Sequence, residues 1–248
     1  MRSKKVRRYS YSDQKSHRHR KRWIVLGIFA FFVLYLSLTS MVFSIRVLEN
    51  DTMLPNLRTG ERFIFSSYAV YSIIPGLDME NGPLPFRRGD VVLANMFRGE
   101  EPGFFRRILD STIRFFTAQR VDLRDQAGRR PADYLFVKRV IGLPGDEISM
   151  TDYVVRVRVR GSAFSLTEFE VTEHDYTTSI PQMPAIWDTS LPFSGNMDTI
   201  VLGENELFLL SDDRSNTNDS RTWGPVSTRN IRGRALFRYW PLTRMGRP

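Results

Sequence analysis

The chain has 248 residues, 36 Lys and Arg against 27 Asp and Glu, three histidines and no cysteine. The lack of cysteine excludes disulfides, thiolate nucleophiles and Cys-ligated metals. His17, His19 and His174 are too few and too scattered for a metal cluster or a Ser-His-Asp triad, so neither metal nor cofactor is expected. The net charge of +9 is confined to one end: residues 1–22 hold ten Lys/Arg and one acid, Asp13, and the other 226 residues hold 26 charges of each sign. A basic tail on a neutral body is not a nucleic-acid-binding face, and no nucleic-acid partner is expected.

Residues 1–22 are polar and basic, and read as a disordered cytoplasmic tail. Next comes an uncharged run from Trp23 to Ile45. As a helix, 23–45 would span roughly 34 Å, enough for the ~30 Å core of a bilayer. The run exceeds the ~7–15 residues of a cleaved signal peptide's apolar region, and no A-x-A-like site follows it. It reads as a retained transmembrane anchor with Trp23 at the interface, and its basic flank keeps the tail in the cytoplasm. Residues 46–248 then form an extracytoplasmic domain.

Strand signals dominate that domain. Arg62-Phe63-Ile64-Phe65, Asp90 to Ala94, Glu206 to Leu210 and Arg234 to Trp240 are short β-rich runs, separated by Gly, Pro, Asp and Asn. Tyr153 to Arg160 alternates in its second half, as a half-exposed strand does. The layout is mostly β. Two stretches depart from it. Residues 98–133 form an insertion in which Phe104, Phe105, Ile108, Leu109, Ile113, Phe115 and Phe116 oppose Arg106, Arg107, Asp110 and Arg114 on a helical wheel. This amphipathic helix fits either packing on the sheet or lying on a membrane surface. Residues 161–200 are weakly patterned and read as an accessory insertion.

Lys138 lies within the apolar run Phe136-Val137-Lys138-Arg139-Val140-Ile141, just before Gly142-Leu143-Pro144-Gly145-Asp146. A buried lysine there would have a depressed pKa and could act as a neutral base, whereas on a solvated strand face it would be an ordinary surface lysine. Three other stretches weigh on that choice: Glu49-Asn50-Asp51-Thr52-Met53-Leu54-Pro55-Asn56-Leu57, Arg88-Gly89-Asp90-Val91-Val92, and the polar segment Ser211-Asp212-Asp213-Arg214-Ser215-Asn216-Thr217-Asn218-Asp219-Ser220-Arg221, followed by Trp223-Gly224-Pro225-Val226.

Taken in this order, the four stretches resemble the type I signal peptidase (leader peptidase) family, membrane-anchored proteases with a serine/lysine dyad. The resemblance covers most of 46–240 apart from 98–133 and 161–200. It implies an antiparallel β-sheet catalytic domain behind one N-terminal transmembrane helix, in the cell inner (cytoplasmic) membrane. Its partners would be the signal peptides of exported preproteins, membrane lipid and the secretion machinery. The implied dyad is Thr52 and Lys138, with Thr52 where the family has its nucleophilic serine. Asn50 stands at the serine that helps form the oxyanion hole, Asp51 at a glycine, and Thr217 at the serine that orients the lysine. The family's Gly-Asp-Asn-Arg is here Ser211-Asp212-Asp213-Arg214. Asp212, Arg214, Asp219, Ser220 and Arg221 are expected to be structural.

The replacements keep the chemical groups the reaction needs. Threonine is a competent nucleophile, although its methyl restricts χ1 and crowds the attacking face. Asn50 offers an N–H donor to an oxyanion. Asp51 would oppose that oxyanion if it pointed inward and would matter little in solvent. Two readings follow: an endopeptidase that removes signal peptides through a Thr52/Lys138 acyl-enzyme, or a catalytically impaired homologue that binds signal peptides or partners. A self-cleaving repressor fits poorly, because the anchor occupies the end where a DNA-binding domain would lie.

Overall fold

A computed structural model of the chain describes residues 20–33, 35, 43–67, 86–96, 109, 113, 135–181 and 195–248. The chain divides into two units, one of residues 1–40 and 102–122 and one of residues 41–101 and 123–248.

In the first unit, residues 20–33 and Tyr35 are helical. Trp23, Ile24, Leu26, Ile28, Phe29 and Phe31 are each more than half exposed. Among the described residues no helix is long and apolar enough to cross a membrane. Of the expected amphipathic helix only Leu109 and Ile113 are described; both are helical, and Leu109 is exposed. The rest of 98–133 lies outside the described residues.

The second unit is antiparallel β structure. Its larger sheet has seven strands. In chain order these are β1 (Phe43–Val47), β2 (Arg62–Ser67), β3 (Val91–Asn95), β4 (Leu135–Gly142), β9 (Glu206–Leu210), β10 (Val226–Ser227) and β11 (Ile231–Trp240). They are arranged β1-β2-β11-β3-β4-β9-β10. A four-stranded sheet, β7-β6-β5-β8, holds β5 (Glu147–Thr151), β6 (Val154–Arg158), β7 (Leu166–Thr167) and β8 (Met197–Val201). In β6 the buried Val155 and Val157 alternate with exposed Val154, Arg156 and Arg158, as its sequence pattern predicts.

Two boundaries need correction. The run read as an anchor through Ile45 ends earlier, because Phe43, Ser44 and Ile45 pair with Ser66, Phe65 and Ile64 as the start of β1. Apolar content alone does not distinguish an anchor's end from an edge strand whose exposed face is Phe43, Ile45 and Val47. The stretch read as an accessory insertion supplies β7 and most of β8, so its described parts belong to the second sheet.

Three apolar clusters hold the unit together. The first motif is anchored in one of them: Met53 and Leu57 are fully buried beside Leu48, Phe63, Val91, Leu93 and Val137. Burying two such side chains contributes about 1.5–3 kcal/mol each, an upper estimate. On the other face of β3 and β4, Val92, Val140, Leu207 and Leu209 form a second cluster, with Trp223 against it. Gly142 to Asp146 turns the chain from the large sheet into the small one. Gly145 there has φ +84°, open to glycine at little cost, and Asp146 accepts from Leu143 N at 2.8 Å.

Candidate active site

β4 is a central strand, buried from Val137 to Gly142, and this run includes two cations. Lys138 pairs with Val92 on β3, and Arg139 with Val91 on β3 and Leu210 on β9. Alternation places Phe136, Lys138 and Val140 on one face. The Lys138 side chain is 0% exposed. Its Nζ lies 5.8 Å from the centre of the Trp223 ring, and that ring lies 5.1 Å from Phe136. Burial is the main cause that brings the amine pKa down from 10.5 to about 8; nearby Arg221 adds to it, and Asp219, Asp212 and Asp213 oppose it. Lys138 is therefore not a solvated strand lysine.

Its neighbour Arg139 is equally buried and does structural work. The guanidinium meets Asp212 through two bonds, Nε to Oδ1 at 2.7 Å and Nη2 to Oδ2 at 2.6 Å, and gives Nη1 to Gly89 O at 2.7 Å. It lies 4.2 Å from the centre of the Tyr176 ring. Tyr176 Oη donates to Glu168 at 2.7 Å, and Glu168 forms an ion pair with buried Arg214. Gly89, at φ +90°, belongs to the second motif, where Arg88 holds the buried Asp146 through Nε and Nη2.

The polar fourth motif leaves β9 at Ser211 and is fixed from several directions. Ser211 N donates to Asp219 Oδ2 at 3.0 Å. Asp219, wholly buried, takes Arg221 Nε at 2.9 Å and Nη2 at 2.7 Å, and accepts from Arg221 N. Burial alone would raise the Asp219 pKa, but the Arg221 guanidinium and the two backbone N–H groups outweigh it and hold the carboxyl below its usual range. Ser220 Oγ accepts from Leu209 N at 3.0 Å. Residues 177–179 run beside the motif, with Ser179 N donating to Asp212 O and Arg214 N to Ser179 O.

The first motif reaches the same loop. Asp213 N donates to Thr52 O at 3.1 Å, and Asn56 Nδ2 donates to Asp212 Oδ2 at 2.7 Å and to Thr177 O at 2.7 Å. Asn56 O accepts in turn from Arg238 Nη1 at 3.2 Å and Arg244 Nη2 at 3.0 Å, and both arginines pair with Glu61. Within the motif, Thr52 Oγ1 donates to Asn50 Oδ1 at 2.9 Å. Asp51 is exposed and accepts from Thr59 N at 3.2 Å and Oγ1 at 2.7 Å. The Thr59 hydroxyl and N–H hold its carboxyl below the ordinary value.

Thr52 and Lys138 thus both engage the stretch Ser211 to Arg214. Among the described residues no hydrogen bond joins them to each other: the Thr52 hydroxyl donates to Asn50 Oδ1, and Lys138 Nζ donates to Ser211 Oγ at 2.7 Å. Dyads often tighten only when substrate is bound. The family resemblance implies Thr217 as the lysine's hydroxyl partner, but here the contact is made by Ser211. Thr217 offers its backbone carbonyl, which accepts from Asp219 N at 2.8 Å and Thr222 Oγ1 at 2.5 Å. Asn56, Arg139, Glu168 and Tyr176 also escaped the sequence reading. Arg139 beside Lys138 gave a signal, since a second cation in an apolar strand calls for a buried anion; Glu168 and Tyr176 gave none.

The sequence matches the family described as signal peptidase, peptidase S26, over residues 20–240. The chain belongs to that family. A signal peptidase I of Streptococcus pneumoniae is 33% identical over 129 residues, covering 44% of this chain and 63% of that protein. The match therefore spans less than two thirds of the pneumococcal relative. A signal peptidase I of Leptolyngbya laminosa is 26% identical over 214 residues, 86% of this chain and 77% of that protein. A crystal structure of a signal peptidase I from Enterococcus faecalis aligns at 17% identity with a TM-score of 0.31, over 62% of this chain and 99% of that one, too loosely to compare sites.

Proposed function

We propose that this signal peptidase family member is a membrane-bound endopeptidase that removes signal peptides from exported preproteins, with Thr52 as nucleophile and Lys138 as general base. The observation that carries the reading is the fully buried Lys138, its pKa brought down to about 8, on the strand next to the loop that also binds Thr52. At pH 7 about a tenth of such an amine is neutral, against well under a thousandth for an ordinary lysine. Membrane attachment is supported by the exposed apolar side chains of helix 20–33.

The steps balance without a cofactor. Lys138 Nζ takes the Thr52 hydroxyl proton as Oγ1 attacks the scissile carbonyl carbon. The oxyanion accepts from Thr52 N–H and from Asn50 Nδ2, the arm of the amide opposite the one that now holds the hydroxyl. The tetrahedral intermediate collapses to a threonyl ester, and the departing amine takes the proton from the Lys138 ammonium. Lys138 then deprotonates a water that attacks the ester carbonyl. The second intermediate expels Thr52 Oγ1, which takes the proton back from the Lys138 ammonium, and the signal peptide leaves with a free C-terminal carboxylate. The family resemblance implies small residues at positions −1 and −3 of the substrate.

The test is cleavage of a preprotein with an Ala-x-Ala site by the detergent-purified chain, beside Lys138→Ala and Thr52→Ala. Cleavage at the expected bond, lost in both variants, is the expected result. One observation favours the impaired-homologue reading: the Thr52 hydroxyl is bonded to Asn50 and not to Lys138. Intact binding of a signal peptide with no cleavage, by the wild type or by Thr52→Ser, would establish that reading instead.

A further inference from the structure

The Lys138 amine has one hydrogen-bond partner among the described residues, Ser211 Oγ. We propose that Ser211 is the positioning residue for Lys138, fixing the amine so that its lone pair is available to Thr52, in the role the family pattern assigns to the position of Thr217. The inference rests on Lys138 being the base.

Ser211 is well placed for this. It is 0% exposed, so water does not compete for its hydroxyl. It directly follows β9, the strand beside β4, and its backbone is tied through its own N–H to Asp219, itself clamped by Arg221. The following residue, Asp212, is locked by Arg139. A lysine side chain has four rotatable bonds, and a fixed acceptor at its tip selects among its rotamers. Thr217 serves the loop through its backbone, its carbonyl accepting from Asp219 N and Thr222 Oγ1, and among the described residues its hydroxyl makes no hydrogen bond to Lys138. At the position of Ser211 the family pattern has glycine, which carries no hydroxyl. The chain therefore supplies the lysine's partner from the opposite end of the same loop.

A positioning role and a merely space-filling role predict opposite changes. A hydroxyl that accepts from the amine stabilises the ammonium more than the neutral form. Removing it should lower the Lys138 pKa further, with Asp219, Asp212, Asp213 and Arg221 still facing the amine. If the serine only filled space, its loss would admit water and raise that pKa towards 10.5.

The experiment uses the full chain in detergent with an Ala-x-Ala peptide, following kcat and KM from about pH 6 to about pH 10. Ser211→Ala, Ser211→Gly and Thr217→Val are compared with the wild type, and Lys138 Nζ is titrated directly by NMR of 15N-lysine-labelled protein. Expected are a loss of about 10–100-fold in kcat for both Ser211 variants with KM within about twofold, and a limb and Nζ titration shifted to lower pH. Thr217→Val should stay within about threefold of wild type. Unchanged kcat, a titration shifted upward, or a loss carried by Thr217→Val alone would overturn the proposal; the last is readable even if a Ser211 variant fails to fold. If the wild type cleaves nothing, the proposed function fails, and the Nζ titrations of wild type and Ser211→Gly alone decide the role of Ser211, an unchanged titration sinking it.

Discussion

Lys138→Met should make the protein more stable while abolishing cleavage. The amine's pKa falls from 10.5 in an unfolded chain to about 8 in the fold. Keeping it protonated and buried at pH 7 therefore costs about 3 kcal/mol. Methionine fills a similar unbranched volume without a charge. Against this gain stands the lost bond to Ser211, which strands a buried hydroxyl at a cost of about 1 kcal/mol. The net gain is about 2 kcal/mol, or about 4–8 °C in Tm for a chain of this size. The pH dependence carries the proof. Between about 8 and 10.5 the unfolded chain binds more protons at this lysine than the folded one, so wild-type stability rises with pH through that window. The methionine variant lacks this contribution, and its advantage should shrink as pH approaches 10.5. Urea unfolding of both proteins near pH 7 and pH 10 would measure it. A variant less stable than wild type at neutral pH, or a gap unchanged between the two pH values, would refute the reasoning.

The pH–rate profile of kcat/KM should rise to a plateau through an acid limb near 8, because the free enzyme must lose the Lys138 proton; a limb near the ordinary lysine value would contradict the burial argument. Asp51→Ala should leave kcat/KM within about twofold, since the carboxylate is exposed and bonded to Thr59; a large gain or loss would place it in the site after all. Asp212→Ala strands buried Arg139 and should cost about 3–5 kcal/mol in denaturant unfolding, whereas a loss under about 1 kcal/mol would mean the arginine finds another partner.

Much of the larger sheet was legible. Glu206 to Leu210 is β9 to the residue, and the run around Lys138 forms β4, because buried strands of this kind read as continuous apolar stretches. β1 was absorbed into the anchor because Phe43 and Ile45 continue its apolar run. β8 was missed because Met197-Asp198-Thr199-Ile200-Val201 lacks alternation. β5 was missed although Glu147-Ile148-Ser149-Met150-Thr151 alternates polar and apolar residues, a run of only five residues directly behind the Gly142 to Asp146 turn, and the two strands pair with each other. The motifs located the site, but their internal wiring was beyond them. Which hydroxyl meets Lys138 depends on how the loop from Ser211 to Arg221 folds back on Asp219, and which way Asp51 points depends on Thr59, eight residues on.

Strand β11 inserts between β2 and β3, and Arg234 pairs with Ser66 across a sequence separation of 168 residues. The loop that carries Thr52 is held by Arg238, on the same strand, and by Arg244 just after it, through Asn56 O and Glu61. A ribosome that has already delivered residue 52 must still deliver nearly everything else before this grip can form. Contacts of such long range also slow folding. Thr52, the proposed nucleophile, is thus made early and fixed in place late, so under that proposal a half-synthesised chain would be a poor protease towards its neighbours and towards itself.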